Sequence, residues 1–537
     1  MGACGPKGPG TAFRPVRLLA LALLLAGPAG AGDVHFLILP SQTIGPISPY
    51  IYGLNDQDPA GLNVTLRRLG GNRLTGYNWT NNASNAGSDW HQTSDDWLCA
   101  DHAGDGDSGK PGALAFHFVE QDQAEGLASL LTLPMAGYVA ADKDGEVTQA
   151  QTAPSPRWAR ELPRKGAPFT LDPDPASKTV YDDEFVNFLK SRFGPAGQGG
   201  PVFYDLDNEP ALWPSTHPRL HPAKPTYREM VERTQALASA VLDVDPSAVL
   251  FGGVMYGWQE MRTLQDAPDS APFDQTYGTY TDYYLAQMRE AEKRTGRRLV
   301  QVLDLHWYPE AQGAGKRITQ GDTSPDSVEA RLQAPRSLWD PGYVEKSWIT
   351  RDSTQGAPIA LIPWLQAKID RWYPGTKLAF SEYDYGAGDH VSGGLAQADV
   401  LGIFGKYGVF EASYWGDLKA YNRAAFDLYR DYDGHDSTFG GEAVSAGTEN
   451  VVETSVYAAV DPASPGRLWI VALNKDPQRT LHGVFEVRGQ TPYARYQAYG
   501  FNARSPAVKP VRSGSLDQGR FDLDLPPLSA TIFVCAD

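Results

Sequence analysis

Between residues 202 and 414, short apolar runs alternate with segments of helical period, and this alternation constrains the fold more than any other feature. Residues 202–207 read as a strand, and Met230, Leu237, Val241 and Leu242 then recur at helical spacing across 226–243. Residues 249–254 form the next apolar run. A helix carrying Tyr284, Leu285 and Met288 leads into 299–307, and the series continues through 376–380, a helix over 395–406, and 409–414. Parallel strands need crossovers, and helices supply them. The expected fold class is therefore α/β, a TIM-like (β/α)8 barrel spanning residues 51–428.

After about residue 430 the helical periods stop. Residues 455–460, 468–473, 483–487 and 531–534 are short strands separated by Pro, Gly, Asn and Asp, which predicts a β-sandwich over 429–537. The strand beginning Val34-His35-Phe36, within residues 32–50, is expected to join that sandwich.

Ahead of it, Arg14 and Arg17 precede the apolar run 18–26, and Ala29-Gly30-Ala31 follows. A basic region, a short apolar run and an A-x-A site make 1–31 a secretory signal peptide, and the run is well short of the ~20 residues that cross a bilayer. The mature chain is expected to be secreted and extracellular, without membrane attachment, and a monomer. Its formal charge is −17, from 64 acidic and 47 basic residues without a Lys/Arg block, so nucleic acid is not an expected partner. A neutral polysaccharide is not disfavoured. The 13 Trp and 26 Tyr suit a sugar-binding cleft, where aromatic faces cover the apolar faces of pyranose rings. Of three cysteines, Cys4 falls in the leader, and the separation of Cys99 and Cys535 leaves their pairing open. Sequons at Asn63, Asn78 and Asn82 matter only in a pathway that glycosylates them.

Two apolar strands end in a carboxylate. One runs Tyr204-Asp205-Leu206-Asp207-Asn208-Glu209-Pro210, the other Leu378-Ala379-Phe380-Ser381-Glu382-Tyr383. Their spacing suits three βα units, which puts Glu209 on strand four and Glu382 on strand seven, at the end of a barrel where catalytic groups sit. Glycoside hydrolysis needs such a pair, one carboxylic acid to protonate the leaving oxygen and one carboxylate to attack or activate water. His306 and Tyr308 end a further strand, and Trp415 ends the last one as a platform for a sugar. Asn208, beside Glu209, is placed to bond a 2-hydroxyl.

The stretches 208–213, His217-Pro218-Arg219, 305–310, 333–341 and Glu382-Tyr383 resemble glycoside hydrolase family 44, with further similarity at 136–142 and 434–440. The resemblance runs from about residue 36 to the C-terminus. It implies a TIM-like barrel plus a β-sandwich, retaining endo-β-1,4-glucanase or xyloglucanase action on plant cell-wall β-glucan, Glu209 as acid/base and Glu382 as nucleophile. Glu209 is then expected to hold the higher pKa, because the charged nucleophile opposes a second negative charge. The resemblance implies no cofactor for catalysis and a structural calcium near Asp182 and Asp183; either aspartate reads equally well as the N-cap of a helix near Phe185. Asp105 and Asp107 are looser metal candidates.

Trp79, Trp213, Tyr308, Tyr383 and Trp415 are expected to line the cleft, with His217 and Arg219 in the same wall. Trp79 reads as part of a polar loop, 75–82. Mannan, glucomannan and xylan remain alternative polymers, and a non-catalytic carbohydrate-binding protein is the alternative class. A metal-dependent hydrolase would need a His/Asp cluster, and no ligand spacing for one is visible in the sequence.

Overall fold

The computed structural model describes residues 33–103, 108–197, 203–464, 466–489 and 493–537. The leader expected over 1–31, with Cys4, and Asp105 and Asp107 lie outside them. Eight parallel strands close into a barrel: β1 (Gly53–Leu54), β2 (Leu66–Leu69), β3 (Ala128–Leu133), β4 (Phe203–Leu206), β5 (Val249–Met255), β6 (Val302–Trp307), β7 (Lys377–Tyr383) and β8 (Glu411–Tyr414). β8 returns to β1 through the pairs Ser413↔Gly53 and Tyr414↔Leu54.

At the N-terminal end of the barrel the interior is apolar. Leu66, Leu130, Phe203, Phe251, Val302 and Ala379, one from each of six strands, form a buried plug capped by Tyr50 and Phe410. Such layers make a barrel a packed core rather than a pore. Towards the C-terminal end the interior turns polar, with Arg68, Asp205, Asp304, Ser381 and Glu411 all fully buried. The registers slip at that end: β5 gains residues relative to β6 between Gly252 and Met255, and β7 does so relative to β6 beyond Ala379. Bulges of this kind re-aim the side chains that follow them.

The outer helices start where local chemistry allows. Thr226 caps Tyr227–Val244 by accepting the Glu229 N–H at 3.0 Å, and Thr279 caps Tyr280–Thr295 in the same way. The helix expected near Phe185 starts earlier, at Asp182, with Tyr181 in the N-cap position, so neither Asp182 nor Asp183 is its cap.

Nine further strands form one mostly antiparallel sheet. Asp33–Pro46 lies inside it, antiparallel to Glu442–Thr448 and parallel to Leu481–Val487. The sheet folds over its own core as a sandwich, bringing Phe521 from one edge to 4.6 Å from Tyr496 near the other, with Phe36, Phe485 and Phe533 between. It is joined to the barrel through helix Val391–Tyr407: Gly402 leaves room for the Tyr457 ring, and the Tyr457 hydroxyl donates to Asp399 Oδ1 at 2.5 Å. Cys99 and Cys535 are buried in different cores, and no disulfide joins them. Asn78 and Asn82 are buried, so the folded chain does not offer those two sequons to solvent, and Asn63 is tied to Arg430. Among the described residues no helix is long and apolar enough to cross a membrane.

Candidate active site

Glu209 follows β4 and Glu382 lies near the end of β7, so the two carboxylates face each other across the C-terminal mouth. His306, at the end of β6, stands between them. Its Nδ1 lies 2.8 Å from Glu209 Oε1 and 3.4 Å from Glu382 Oε2, and one oxygen of each glutamate lies within 4.8 Å of the other.

Both oxygens of Glu382 are held. Arg68 Nη1 donates to Oε1 at 2.8 Å, and the Tyr308 hydroxyl donates to Oε2 at 2.8 Å. Arg68 is a buried hub: its Nε donates to Asp205 Oδ2 at 2.5 Å, Nη1 also reaches Asn55 Oδ1 at 3.2 Å, and Nη2 donates to Asn208 Oδ1 at 2.9 Å. Burial pulls this guanidinium down, but the surrounding Asp205, Glu382 and Asp304 carboxylates outweigh that and push it above its ordinary value. Glu382 is thus bonded on one oxygen by a buried cation and on the other by a hydroxyl.

Glu209 has the opposite setting. Burial pushes its carboxyl up to about 7, against the pull of Arg68 and with some help from Asp89. The cause is therefore desolvation and Asp89, rather than the nucleophile's charge that the sequence suggested. His306 is driven down to about 4 by burial, so its imidazole is neutral and bonds Glu209 without neutralising it. A carboxyl raised to about 7 facing a second carboxyl bonded to an arginine suits the two-carboxyl chemistry of glycosidic cleavage.

The predicted cleft residues separate into two groups. Trp415 is 36% exposed and leans over Gly71, whose missing side chain makes room: a Cβ there would come within 2.7 Å of the ring. Tyr308 and His306 are at the carboxylates, and Asn208 sits beneath them with its Nδ2 3.4 Å from Asn72. Three others are not in the cleft. Trp79 is 2% exposed and stacks on Phe185 at 5.3 Å, because its polar neighbours Asn78 and Asn82 are buried too, spending their amides on Ala140 and Lys110 carbonyls. Trp213 packs against His221 inside the barrel wall, and Tyr383 is buried with its hydroxyl accepting from Gln397. His217 is buried rather than exposed in the wall, and Arg219 bonds the Val147 carbonyl.

The fold also supplies groups that the sequence did not mark. Arg68, Asn55 and Asp205 are among them, as is a run from Asn208 through Asn72 to Asp89, whose Oδ2 accepts from Asn72 at 2.9 Å. Next to Asp89, Trp90 is 62% exposed, and Trp97, 55% exposed, lies under the Arg73 guanidinium. A large exposed indole beside a polar loop would have been the signal.

A ligand cluster absent from the sequence spacing does form: among the described residues, Glu209, His306 and Glu382 each offer an atom to a common point. Arg68, already paired with Glu382, opposes a second cation there. The acidic pair at the start of helix Asp182–Phe193 behaves differently. Asp182 meets Glu161, both are buried, and Asp182 Oδ2 and Glu161 Oε1 have no hydrogen-bond donor. Burial and mutual repulsion push Asp182 well up. Asp183 instead uses its oxygens on the Lys165 N–H at 3.1 Å.

Two carboxylates and a histidine at the mouth of a closed eight-stranded barrel define a glycoside hydrolase. Residues 83–311 match the model of glycoside hydrolase family 44. The chain is 46% identical over 525 residues to endoglucanase A of Paenibacillus lautus, covering 95% of this chain and 75% of that protein. It is 45% identical to a β-mannanase/endoglucanase A of Caldicellulosiruptor saccharolyticus, covering 89% of this chain but 37% of that longer protein. Among solved structures, a family 44 xyloglucanase of Paenibacillus polymyxa with xyloglucan superposes with TM-score 0.91 at 44% identity, covering 94% of this chain and all of that one. The chain belongs to glycoside hydrolase family 44.

Proposed function

We propose that the protein is a secreted, retaining endo-β-1,4-glucanase that cuts soluble β-glucan backbones, xyloglucan foremost. The observation that carries the retaining mechanism is the approach of Glu209 and Glu382 to within 4.8 Å. Retaining pairs stand ~5 Å apart, whereas inverting pairs leave room for a water at ~6.5–9.5 Å. In the first step a Glu382 oxygen attacks the anomeric carbon while Glu209 gives its proton to the departing oxygen. In the second, Glu209 takes a proton from water, the water oxygen attacks the same carbon, and Glu382 leaves. His306 keeps Glu209 oriented through both steps, and Tyr308 and Arg68 steady the carboxylate that makes and breaks the bond.

Trp415 serves as the platform under the sugar at the cleavage point, and Trp90 and Trp97 extend the cleft on the Asn72 side. Residues 51–428 form the catalytic unit and 429–537, with 32–50, the accessory sandwich. The protein acts as a monomer and leaves the cell through the leader at 1–31. A calcium ion would be held by Asp182 with Glu161, whose undonated oxygens are hard ligands, while Asp183 is otherwise engaged. Its contribution would be to tie helix Asp182–Phe193 to strand Trp158–Leu162, and a lower Tm after chelation would reveal it. Mannan is a second reading because one relative is a β-mannanase as well as an endoglucanase.

The test is reducing-end release with product sizing on xyloglucan, carboxymethylcellulose, glucomannan and xylan. Rapid viscosity loss on the first two supports the glucanase reading. Faster cleavage of glucomannan moves the substrate to mannan, and binding without release from any polymer leaves a carbohydrate-binding protein.

A further inference from the structure

Glu260 is a fully buried carboxylate outside the catalytic pair, and its surroundings are unusual. It lies on the short helix Trp258–Thr263, immediately beyond β5. One oxygen accepts the Tyr256 N–H at 2.8 Å, and the other accepts the Ala211 N–H at 3.3 Å. Ala211 is two residues beyond Glu209, so this carboxylate clamps the loop after β4 to the loop after β5.

The same two loops meet a second time. The Glu209 N–H donates to the Val254 carbonyl at 3.0 Å. Val254 occupies the left-handed region, at φ 39°, following Gly253 at φ 95°, in the stretch where β5 slips register against β6. A β-branched residue seldom adopts that conformation, and where one does the surrounding structure must hold it there. Glu209 itself is left-handed at φ 45°, as is Asp207 at φ 67°. Three strained residues without glycine's freedom are therefore arranged around one carboxylate. The bulge presents the Val254 carbonyl to Glu209, and Glu260 holds both ends of the arrangement: Tyr256 after the bulge and Ala211 after the acid.

We propose that Glu260, acting with the Gly253–Val254 bulge, is a positioning residue for Glu209 that sets the direction in which the acid presents its proton. This rests on Glu209 being the acid/base. Glu260 has no path to the sugar, since its two oxygens are spent on backbone donors and it is closed off from solvent. Its effect passes through the main chain of residues 209–211. A purely structural role would weaken every step alike, whereas a positioning role weakens proton delivery in particular.

Leaving-group dependence separates the two. An aryl cellotrioside with a strongly acidic phenol, such as 2,4-dinitrophenol, departs without a proton, while the unsubstituted phenyl glycoside needs one. kcat/KM reads the first chemical step for both. Glu260→Gln keeps the shape but bonds only one backbone N–H correctly, and is expected to lose about a hundredfold on the phenyl substrate while staying within a few-fold of the parent on the dinitrophenyl one. Val254→Gly keeps the carbonyl but frees the backbone, and is expected to shift the ratio the same way by a smaller factor. It carries the test if the Glu260 variant does not fold. Glu209→Gln is run alongside. If Glu209→Gln shows the leaving-group split and neither other variant does, the positioning proposal is overturned and the acid assignment stands. If Glu209→Gln loses equally on both substrates, the acid assignment itself fails.

Discussion

Replacing Glu209 by Gln should make the protein more stable at neutral and alkaline pH, but not in acid. Burial lifts the Glu209 carboxyl from 4.5 to about 7 in the folded chain. A folded-state pKa above the unfolded one gives stability that is full below about pH 4.5 and lost as pH rises through about 7. Each unit is worth ~1.4 kcal/mol, so ionising Glu209 costs the folded state about 3 kcal/mol by pH 9. Glutamine never pays that cost, and its amide can still bond His306. The lowered pKa of His306 also makes stability depend on pH, but His306 is present in both proteins and cancels in the difference. For a chain of this length, an unfolding entropy of ~2 cal/mol/K per residue turns 3 kcal/mol into a Tm gap of about 3 °C. The assay is differential scanning calorimetry of both proteins from pH 4 to pH 9. The gap should open between about pH 4.5 and about pH 7, half-open at about pH 6 and level above about pH 7, in favour of the glutamine variant. A gap that is constant with pH, or that opens towards acid, would mean Glu209 is not the desolvated carboxyl described here.

Further outcomes follow from the same geometry. kcat/KM should fall tenfold per unit above about pH 7, since the acid must carry its proton, and a pH–rate profile on a soluble glucan reads this directly. Trp415→Ala should lower kcat/KM by ten- to a hundredfold, the ~1–3 kcal/mol of a lost ring contact, with little change in Tm. Gly71→Ala should mimic part of that loss with Trp415 itself unchanged in sequence, because the new Cβ meets the indole at 2.7 Å and the backbone there has φ 87°. Arg68→Met should abolish activity and destabilise the fold by ~3–5 kcal/mol, the cost of stranding buried carboxylates, read as a lower midpoint in urea.

How far the sequence could reveal all this depended on where charge is buried. The ends of β4 and β7 were legible because each is an apolar run that stops at a carboxylate, and the helix Tyr227–Val244 showed its period plainly. The opening strands were not. β1 has only two residues, and β2 is Leu-Arg-Arg-Leu, whose two arginines look like a surface turn until Asp122 and Asp205 are folded against them. The same blindness misplaced Trp79: polar neighbours suggested a loop at the mouth, but Asn78, Thr80 and Asn82 are buried and satisfied by one another and by backbone carbonyls. Trp213 and Tyr383 sit close to Glu209 and Glu382 in sequence but are buried in the core, so adjacency to a motif was a poor guide to facing the cleft. The Glu260 clamp and the Val254 bulge have no sequence signature, because they depend on two loops meeting and on a backbone angle that valine does not advertise.

The central claim is that Glu382 attacks the sugar and Glu209 serves it as acid and then base. It is tested most directly by incubating the enzyme with a 2-deoxy-2-fluoro cellotrioside carrying a dinitrophenyl leaving group, then locating the adduct by intact mass and peptide mapping. The account predicts one sugar per chain, ester-linked to Glu382, with activity lost in step. An adduct on another residue, or continued turnover with no adduct, would contradict it.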